Sequence, residues 1–326
     1  MNITTSVFKK IPAGLLVAAL LVVSMESYFY ANRRHFVKDY WNKFIINEQA
    51  LVDAPRDYPY VILGNSTQKT GIRASETGPE LLCLGLPGGK PMAHYLLLCR
   101  YLQKHPAPKT LFLFVDPGNE TDSLLVILRY FVNVKEFAML WPDLSWEERR
   151  VFLGKYFSTL DLRKVSLTRR AEYPGTNANF VESLLKNHGW MPAPPFPEKI
   201  TPDYFATHPR WVPDKMHFSD RDEKYLRKIM GLAKDRGIEV ILLPALVPEE
   251  LARLPQGAAF LAQYDFLRKK IVSDFPGIPP PGEPSYILPN SYFADPQHVG
   301  AEGSKLFTAD FARGFLDPAV RRHEKP

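Results

Sequence analysis

A serine near the start of the chain and an aspartate and a histidine near its end have the side chains of a hydrolytic triad. Ser66 follows the apolar run that ends in Leu63-Gly64, and Asp295 and His298 lie three positions apart. A serine hydroxyl is a poor nucleophile unless a histidine takes its proton, and a carboxylate fixes the tautomer of that histidine. Because Ser66 lies more than two hundred residues upstream of the pair, the triad requires a fold that brings both ends of the chain together.

Short apolar runs alternate with stretches of helical spacing along most of the chain. The predicted strands are Tyr58–Leu63, Leu81–Leu84, Leu111–Val115 and Ile238–Leu243, and the predicted helices are a short one opening at Ser66, Pro91–Lys104, Ser219–Lys234 and Val299–Phe315. Parallel strands need right-handed crossovers, so this alternation predicts a three-layer α/β/α fold with a mostly parallel sheet and helices on both faces.

The candidate polar residues all follow predicted strands. Ser66 follows the first, Gly85 and the Gly88-Gly89 pair follow the second, Asn119 follows the third, and the block Asp295–His298 follows the last. Open parallel sheets bind ligands outside the carboxyl ends of their strands, so we expect these residues to share one crevice. Taken singly, each also has a simpler interpretation: helix caps for the serine and the aspartate, a loop for the asparagine and tight turns for the glycines.

Four short blocks of the chain resemble the blocks of the SGNH, or GDSL, hydrolase superfamily. In chain order they read Gly64-Asn65-Ser66, Leu84–Gly89, Pro117–Glu120 and Asp295–His298. Asn65 stands where the family usually has an aspartate, and Glu120 follows Asn119 where the family usually has an aspartate. The resemblance covers residues 58–135 and 220–315 and implies the three-layer fold of that family.

The resemblance implies a role for each triad residue. Ser66 would be the nucleophile, His298 the general base and Asp295 the group that orients it. The implied activity is that of a serine esterase or O-acyltransferase with an acyl-enzyme intermediate, and it needs no metal and no cofactor. The alternative is a non-catalytic member of the same fold that binds glycan or serves as a scaffold in an envelope assembly complex.

The resemblance also implies an oxyanion hole. Its donors would be the backbone amides of Ser66 and Gly85 and the side-chain amide of Asn119, with Gly88 as the alternative to Gly85. Acyl transfer develops negative charge on the carbonyl oxygen, and preorganised neutral donors stabilise that charge.

The N-terminal segment predicts a membrane anchor. Lys9 and Lys10 precede the uncharged apolar run Ile11–Met25, and the aromatic stretch Ser27–Tyr30 follows it. A bilayer-spanning helix needs about 20 apolar residues, and aromatic side chains favour the membrane interface. An uncleaved signal anchor is therefore expected, with cleavage near Ser24 as the competing interpretation.

The domain organisation follows from these segments. Residues 1–35 are expected to form the anchor and residues 36–326 an SGNH-like domain, interrupted by a cap-like insertion at residues 122–218 that breaks the α/β alternation. Three features, namely Leu63–Ser66 with Thr70-Gly71-Ile72 downstream, the segment Leu84–Gly89 and the basic-flanked anchor, resemble those of bacterial membrane-anchored SGNH-like proteins of the cell envelope. Some of those proteins are associated with acylation of exported polysaccharides. That likeness implies an acyl ester or glycan substrate, a catalytic domain outside the cytoplasmic membrane, and a multi-spanning membrane partner that supplies acyl groups if the protein is a transferase.

Composition excludes several other classes of protein. The 326 residues are 45% hydrophobic and 13% aromatic, which supports a large core and argues against a disordered chain. The formal net charge of +6 comes from scattered lysines and arginines with no groove-reading motif, so nucleic-acid binding is not expected. The two cysteines, Cys83 and Cys99, lack metal-ligand spacing and are predicted to be buried thiols.

Overall fold

The computed structural model describes residues 13–31, 48–78, 80–86, 88–115, 128, 131–154, 178–193, 200–201, 203–212 and 218–324. The chain divides into two compact units. The smaller unit comprises Met1–Asn42 and Leu128–Thr176, and the larger unit comprises Lys43–Ile127 and Asn177–Pro326. All described candidate site residues belong to the larger unit.

Six strands and twelve α-helices are named here in chain order. The strands are β1 Tyr60–Gly64, β2 Leu81–Gly85, β3 Thr110–Leu113, β4 Glu239–Leu242, β5 Ala245–Pro248 and β6 Ser285–Leu288. The helices are α1 Ala13–Ala31, α2 Ser66–Gly71, α3 Pro91–Lys104, α4 Val134–Leu140, α5 Trp146–Gly154, α6 Ala178–Lys186, α7 Tyr204–Thr207, α8 Asp220–Asp235, α9 Glu249–Arg253, α10 Pro255–Asp274, α11 Ala301–Phe311 and α12 Asp317–Glu324.

The main sheet is parallel, and its order is β2-β1-β3-β4. Apart from Thr110 and Glu239 at the starts of β3 and β4, its strands consist of apolar residues and glycine, and they are buried almost throughout, as expected for a parallel sheet covered by other elements. The ends of β1 and β2 are level, because Gly64 pairs with Gly85. The predicted α/β class with a mostly parallel sheet is confirmed, and the four predicted strands agree with the observed ones to within two residues at each end.

A second, two-stranded parallel sheet pairs β5 with β6 and was not predicted from the sequence. The chain changes sheets at Pro244: the Leu243 N–H still bonds to the Leu113 carbonyl, whereas the Ala245 N–H bonds to the Pro284 carbonyl. Proline has no N–H to offer to a ladder, so it marks the break between the two sheets. The block Asp295–His298 therefore follows a strand of the small sheet.

A buried arginine fixes the proline-rich loop that leads into β6. The Arg268 side chain is fully buried, and its guanidinium donates to the carbonyl oxygens of Gly282 and Glu283 at 3.2 and 2.7 Å and to that of Leu242 at 3.2 Å. Burial lowers the pKa of Arg268, partly offset by nearby tyrosine and carboxyl groups. This arginine ties the loop to the end of β4 and so sets where the chain enters β6.

In the smaller unit, helix α1 contains residues 13–25 of the apolar run that was predicted to be the membrane anchor, and the first two residues of that run lie outside the described residues. Several apolar side chains of α1, including Leu20, Leu21 and Val23, are exposed. None of the helices within the described ranges combines the length and the apolar character needed to cross a membrane.

In the smaller unit, the rings of Phe137 in α4 and Phe152 in α5 stack with centroids 3.6 Å apart.

Candidate active site

The candidate nucleophile lies at the junction of β1 and α2. Asn65 has an extended backbone conformation and caps α2, because its Oδ1 accepts a hydrogen bond from the Thr67 N–H at 2.9 Å. The Gln68 Oε1 accepts from the Asn65 N–H at 3.1 Å and completes a capping box. The simpler interpretation of Ser66 as the cap of this helix is therefore wrong. Its hydroxyl is left for another partner.

That partner is the histidine predicted from the other end of the chain. The Ser66 Oγ lies 2.7 Å from His298 Nε2, and His298 Nδ1 lies 2.7 Å from Asp295 Oδ2. The side chains of His298 and Asp295 are 16% and 13% exposed. A proton on Nδ1 donates to the carboxylate, so Nε2 is the nitrogen that can accept the serine proton. The structure thus brings together the three residues that the sequence predicted.

A tight loop holds Asp295 and His298 in this arrangement. Asp295 Oδ1 accepts from the backbone amides of Gln297 and His298, each at 2.8 Å. The loop is closed by a β-bridge between Phe293 and Val299. The predicted helix Val299–Phe315 instead begins at Ala301 as α11, because Val299 takes part in this bridge. Asp295 therefore caps its own loop and not the following helix.

Asp295 is charged at neutral pH in this environment. Burial raises the pKa of its carboxyl group, but the hydrogen bond with His298 and those from the backbone amides of Gln297 and His298 together lower it by more, so the net pKa lies below the ordinary value. A carboxylate of this kind holds the imidazole in one tautomer and stabilises the imidazolium.

The helix that carries Ser66 is bonded to the helix that follows His298. The carbonyl oxygen of Gly71 accepts from Ser304 Oγ at 3.1 Å and from Thr308 Oγ1 at 3.3 Å. The Arg73 N–H donates to Thr308 Oγ1 at 2.9 Å, and the Arg73 guanidinium donates to the Ala301 carbonyl at 2.8 Å. These bonds join α2 to α11, and no pattern in the sequence pointed to them.

The backbone amide of Gly85 is directed away from β1. The Leu86 N–H donates to the Gly64 carbonyl at 3.0 Å, and successive N–H groups of a strand alternate in direction. On the outer side of β2, the Cys83 N–H donates to the His188 carbonyl at 2.9 Å. For Gly85, no acceptor is found among the described residues. Among the described residues, nothing therefore occupies the N–H of Gly85 at the end of β2.

Gly85 also packs directly against the turn that carries Ser66. A Cβ on Gly85 would lie 2.8 Å from the Asn65 carbonyl oxygen and 2.9 Å from Lys69 Cβ, closer than real Cβ atoms approach. The Ser66 N–H, on the first residue of α2, has no acceptor within its own helix. Two backbone amides of the implied oxyanion hole thus belong to segments in van der Waals contact.

Asn119 and Gly88 are the remaining residues that the resemblance implies as oxyanion-hole donors. Asn119 and the rest of its block lie outside the described residues. Gly88 lies in the turn after β2, where the Gly89 N–H donates to the Leu86 carbonyl at 2.7 Å. That turn uses the amide of Gly89 for its own closure.

Part of the predicted cap-like insertion contacts α2, the helix that carries Ser66. Trp190 Nε1 donates to the Thr70 carbonyl at 2.9 Å, and the Met191 N–H donates to the Lys69 carbonyl at 3.2 Å. Gly189 has φ of +93°, and a Cβ there would lie 2.1 Å from the Cys83 carbonyl oxygen. The segment from residue 188 to residue 191 therefore lies along both β2 and α2, and glycine is required at its closest approach.

A buried ion pair lies one helical turn after Ser66. Lys69 Nζ contacts Glu48 Oε1, and the two side chains are 1% and 0% exposed. Burial lowers the pKa of the Lys69 ammonium to about 8, and the electrostatic interaction with Cys83 partly opposes this effect. No pattern in the sequence indicated this pair, because the two residues are separated along the chain.

Cys83 is buried and Cys99 is half-buried, so the prediction of two buried thiols is correct for the first only. Burial raises the pKa of the Cys83 thiol to about 12. Within the described ranges, no group of three or more histidine, cysteine, aspartate or glutamate side chains could hold a metal ion.

The chain matches no protein-family model and no curated protein, so the resemblance to SGNH hydrolases rests on the residues and their geometry.

Proposed function

We propose that this protein is a serine-dependent ester hydrolase or O-acyltransferase of the SGNH type. The observation that carries the proposal is the continuous hydrogen-bonded chain from Ser66 through His298 to Asp295, with 2.7 Å at each step. A serine, a histidine and a carboxylate in this order are recognised as a nucleophilic triad by geometry and roles, whatever their order in the sequence.

The proposed reaction has two acyl-transfer steps. Ser66 Oγ attacks the carbonyl carbon of an acyl ester while His298 Nε2 takes the hydroxyl proton, and the carbonyl oxygen becomes an oxyanion. The ester bond then breaks, the leaving oxygen takes the proton from His298, and the acyl group remains on Ser66. In the second step water or a glycan hydroxyl gives its proton to His298 and attacks the acyl carbonyl carbon. The bond from that carbon to Ser66 Oγ then breaks, and Oγ takes the proton back from His298, which restores the free serine.

The proposed oxyanion hole consists of the backbone amides of Ser66 and Gly85, with the Asn119 side chain as the third donor implied by the family resemblance. What supports the first two is that neither N–H has an acceptor within the described part of the chain, and that their segments are in contact. Each such donor contributes about 10²–10³-fold in rate in enzymes of this kind.

The proposal extends to architecture, substrate and location, and these parts rest on the sequence. The architecture is the three-layer SGNH fold with an N-terminal membrane helix and a cap at residues 122–218. The substrate is an acylated cell-envelope or exported polysaccharide, reached from the outer side of the cytoplasmic membrane. A transferase would receive its acyl groups from a multi-spanning membrane protein. Membrane fractionation with alkaline carbonate washing tests the anchor, since release of the protein by carbonate would contradict it.

Labelling with a serine-reactive phosphonate tests the activity. The full-length protein in detergent should be labelled at Ser66, and Ser66→Ala and His298→Ala should lose the label, because activation requires both groups. Ser219→Ala is a matched control. Its hydroxyl caps α8, so the variant changes helix stability but should be labelled like the wild type. Folded wild-type protein that takes no label would contradict the activity and favour the glycan-binding or scaffold alternative.

A further inference from the structure

A fully buried histidine contacts the backbone directly before the nucleophile. His94 lies in the first turn of α3, is 0% exposed, and places its Nε2 3.1 Å from the carbonyl oxygen of Gly64. A carbonyl oxygen can only accept, so the imidazole must carry its proton on Nε2 and donate it. The triad chemistry does not use this side chain.

The carbonyl that His94 binds is shared by the two strand ends that form the proposed site. Gly64 ends β1 and precedes Asn65-Ser66, and its oxygen also accepts from the Leu86 N–H at 3.0 Å. Leu86 directly follows Gly85. One oxygen atom therefore joins the nucleophile turn, the strand end that carries the proposed oxyanion donor, and helix α3.

The loop after β2 is shaped around the same imidazole. A Cβ on Gly89 would lie 2.8 Å from His94 Nε2 and 2.8 Å from the Leu86 carbonyl oxygen. Only glycine leaves room for the backbone to pass so close to the ring. The second glycine of the Gly88-Gly89 pair thus has a packing role beside His94, which the sequence pattern alone could not distinguish from a role in binding.

We infer that His94 is a positioning residue for the proposed acyl transfer. Its Nε2–H fixes the Gly64 carbonyl, and with it the separation between the Ser66 hydroxyl and the Gly85 amide. The inference rests on the proposed function for its catalytic consequence. Its structural consequence, the fixed spacing of the two strand ends, stands independently of that function.

The chain supplies a control for the general cost of losing a buried histidine. His105 lies directly after the last residue of α3, is also buried, and its Nε2 lies 2.8 Å from the carbonyl oxygen of Val52. Its ring therefore makes the same type of hydrogen bond, but to a carbonyl outside the site, and its Nδ1 also lies 2.8 Å from Asp57 Oδ1, so its removal costs at least as many contacts. A variant at His105 reports on stability, whereas a variant at His94 reports on stability and on the geometry of the site.

The experiment compares His94→Phe, His94→Gln and His105→Phe in the full-length protein. Phenylalanine keeps the ring and removes the donor, and glutamine retains an N–H at a similar reach. We expect the maximal rate of phosphonate labelling to fall about 10- to 100-fold in His94→Phe at an unchanged half-saturating phosphonate concentration, since small misplacements of reacting groups cost rates of this size. In His94→Gln the decrease in the logarithm of the labelling rate should be at most half of that in His94→Phe. His105→Phe should label at the wild-type rate.

Hydrogen exchange measured by mass spectrometry provides the second readout. Peptides covering residues 62–68 and 83–88 should exchange about fivefold faster in His94→Phe than in His105→Phe, the ratio expected for one lost neutral hydrogen bond. If wild-type protein takes no label, the proposed function fails and the exchange ratio alone decides whether His94 fixes the strand ends. Folded His94→Phe protein that matches His105→Phe in exchange, or that labels at the wild-type rate where the wild type does label, overturns the inference.

Discussion

Replacing Lys69 by methionine should destabilise the larger unit far more than removal of a surface charge would. Lys69 and Glu48 form an ion pair in which the side chains are 1% and 0% exposed. Methionine fills much of the lysine stem but leaves the Glu48 carboxyl buried without its partner. Breaking a buried pair from one side costs about 3–5 kcal/mol, whereas replacing both partners by apolar residues is about neutral or stabilising by 1–4 kcal/mol. The double variant Lys69→Met with Glu48→Leu should therefore recover most of the loss.

Urea titration with pulsed hydrogen exchange measures this effect on the peptide that contains β1 and α2, so that unfolding of the smaller unit does not contribute. Arg253→Met is the control, because Arg253 and Glu249 form a surface pair whose side chains are 75% and 42% exposed. Its removal should change the free energy of unfolding by about 0.5 kcal/mol or less. The reasoning is refuted if Lys69→Met loses less than about 1 kcal/mol, or if the double variant is as unstable as the single one.

Three further substitutions test the site and its supports. Asp295→Asn should lower the labelling rate by about 10³–10⁴-fold, because the imidazole of His298 loses the carboxylate that fixes its tautomer; an unchanged rate would contradict the triad. Since the pKa of Asp295 is lowered by folding, its contribution to stability is present above the ordinary aspartate pKa of about 3.9 and is lost as the pH falls through the lower folded value. Acid titration followed by circular dichroism should show a smaller loss for Asp295→Asn than for the wild type. Gly189→Ala should lose about 2 kcal/mol or more, because its Cβ would overlap the Cys83 carbonyl at a positive φ; urea titration with wild-type stability would contradict this. Arg268→Met should lose about 2–4 kcal/mol by leaving buried carbonyl groups without donors, and a loss equal to that of Arg253→Met would contradict it.

The main sheet could be predicted because each of its strands contains an unbroken run of at least three apolar residues. Residues 61–63 and 111–113 have no polar side chain and are buried on both faces of the sheet, so their period and length identify them. Helix α3 was predicted with its observed bounds, Pro91–Lys104, because proline opens it and its apolar residues recur at helical spacing. Ser66, Asp295 and His298 could be predicted because short motifs follow strand ends.

The small sheet and the start of α11 could not be predicted, for local reasons. The strands β5 and β6 are short and adjoin Pro244 and a proline-rich loop, which are typical of turns and loops. Their pairing is set by tertiary contacts. Val299 has the apolar character of a first helical residue, but its backbone is paired with Phe293. The helix therefore begins only after Gly300, which is its N-cap. Which of these local options is taken depends on the loop that Asp295 closes, and that loop is defined only in the folded chain.

The supports of the site were missed because they act between residues that no sequence window contains. His94 and Lys69 each occur in a helix whose pattern explains them as ordinary members of that helix. Their partners, the Gly64 carbonyl and Glu48, lie on other elements. A buried polar side chain needs a partner, so a histidine at a core position of a helix indicates an unseen acceptor but does not identify it.

The register between β1 and β2 determines how the Ser66 hydroxyl and the Gly85 amide lie relative to each other. Because Gly64 and Gly85 are level, the residues directly after them, Asn65-Ser66 on one strand and Leu86 on the other, leave the sheet together. A slip of one residue would reverse the direction of the Gly85 amide and place a different side chain against Asn65. Both the pairing itself and the bond from His94 to Gly64 oppose such a slip. The distance between the Ser66 hydroxyl and the Gly85 amide is therefore set by backbone pairing within the larger unit, and the loop that carries His298 needs only to deliver the imidazole to a serine already in place.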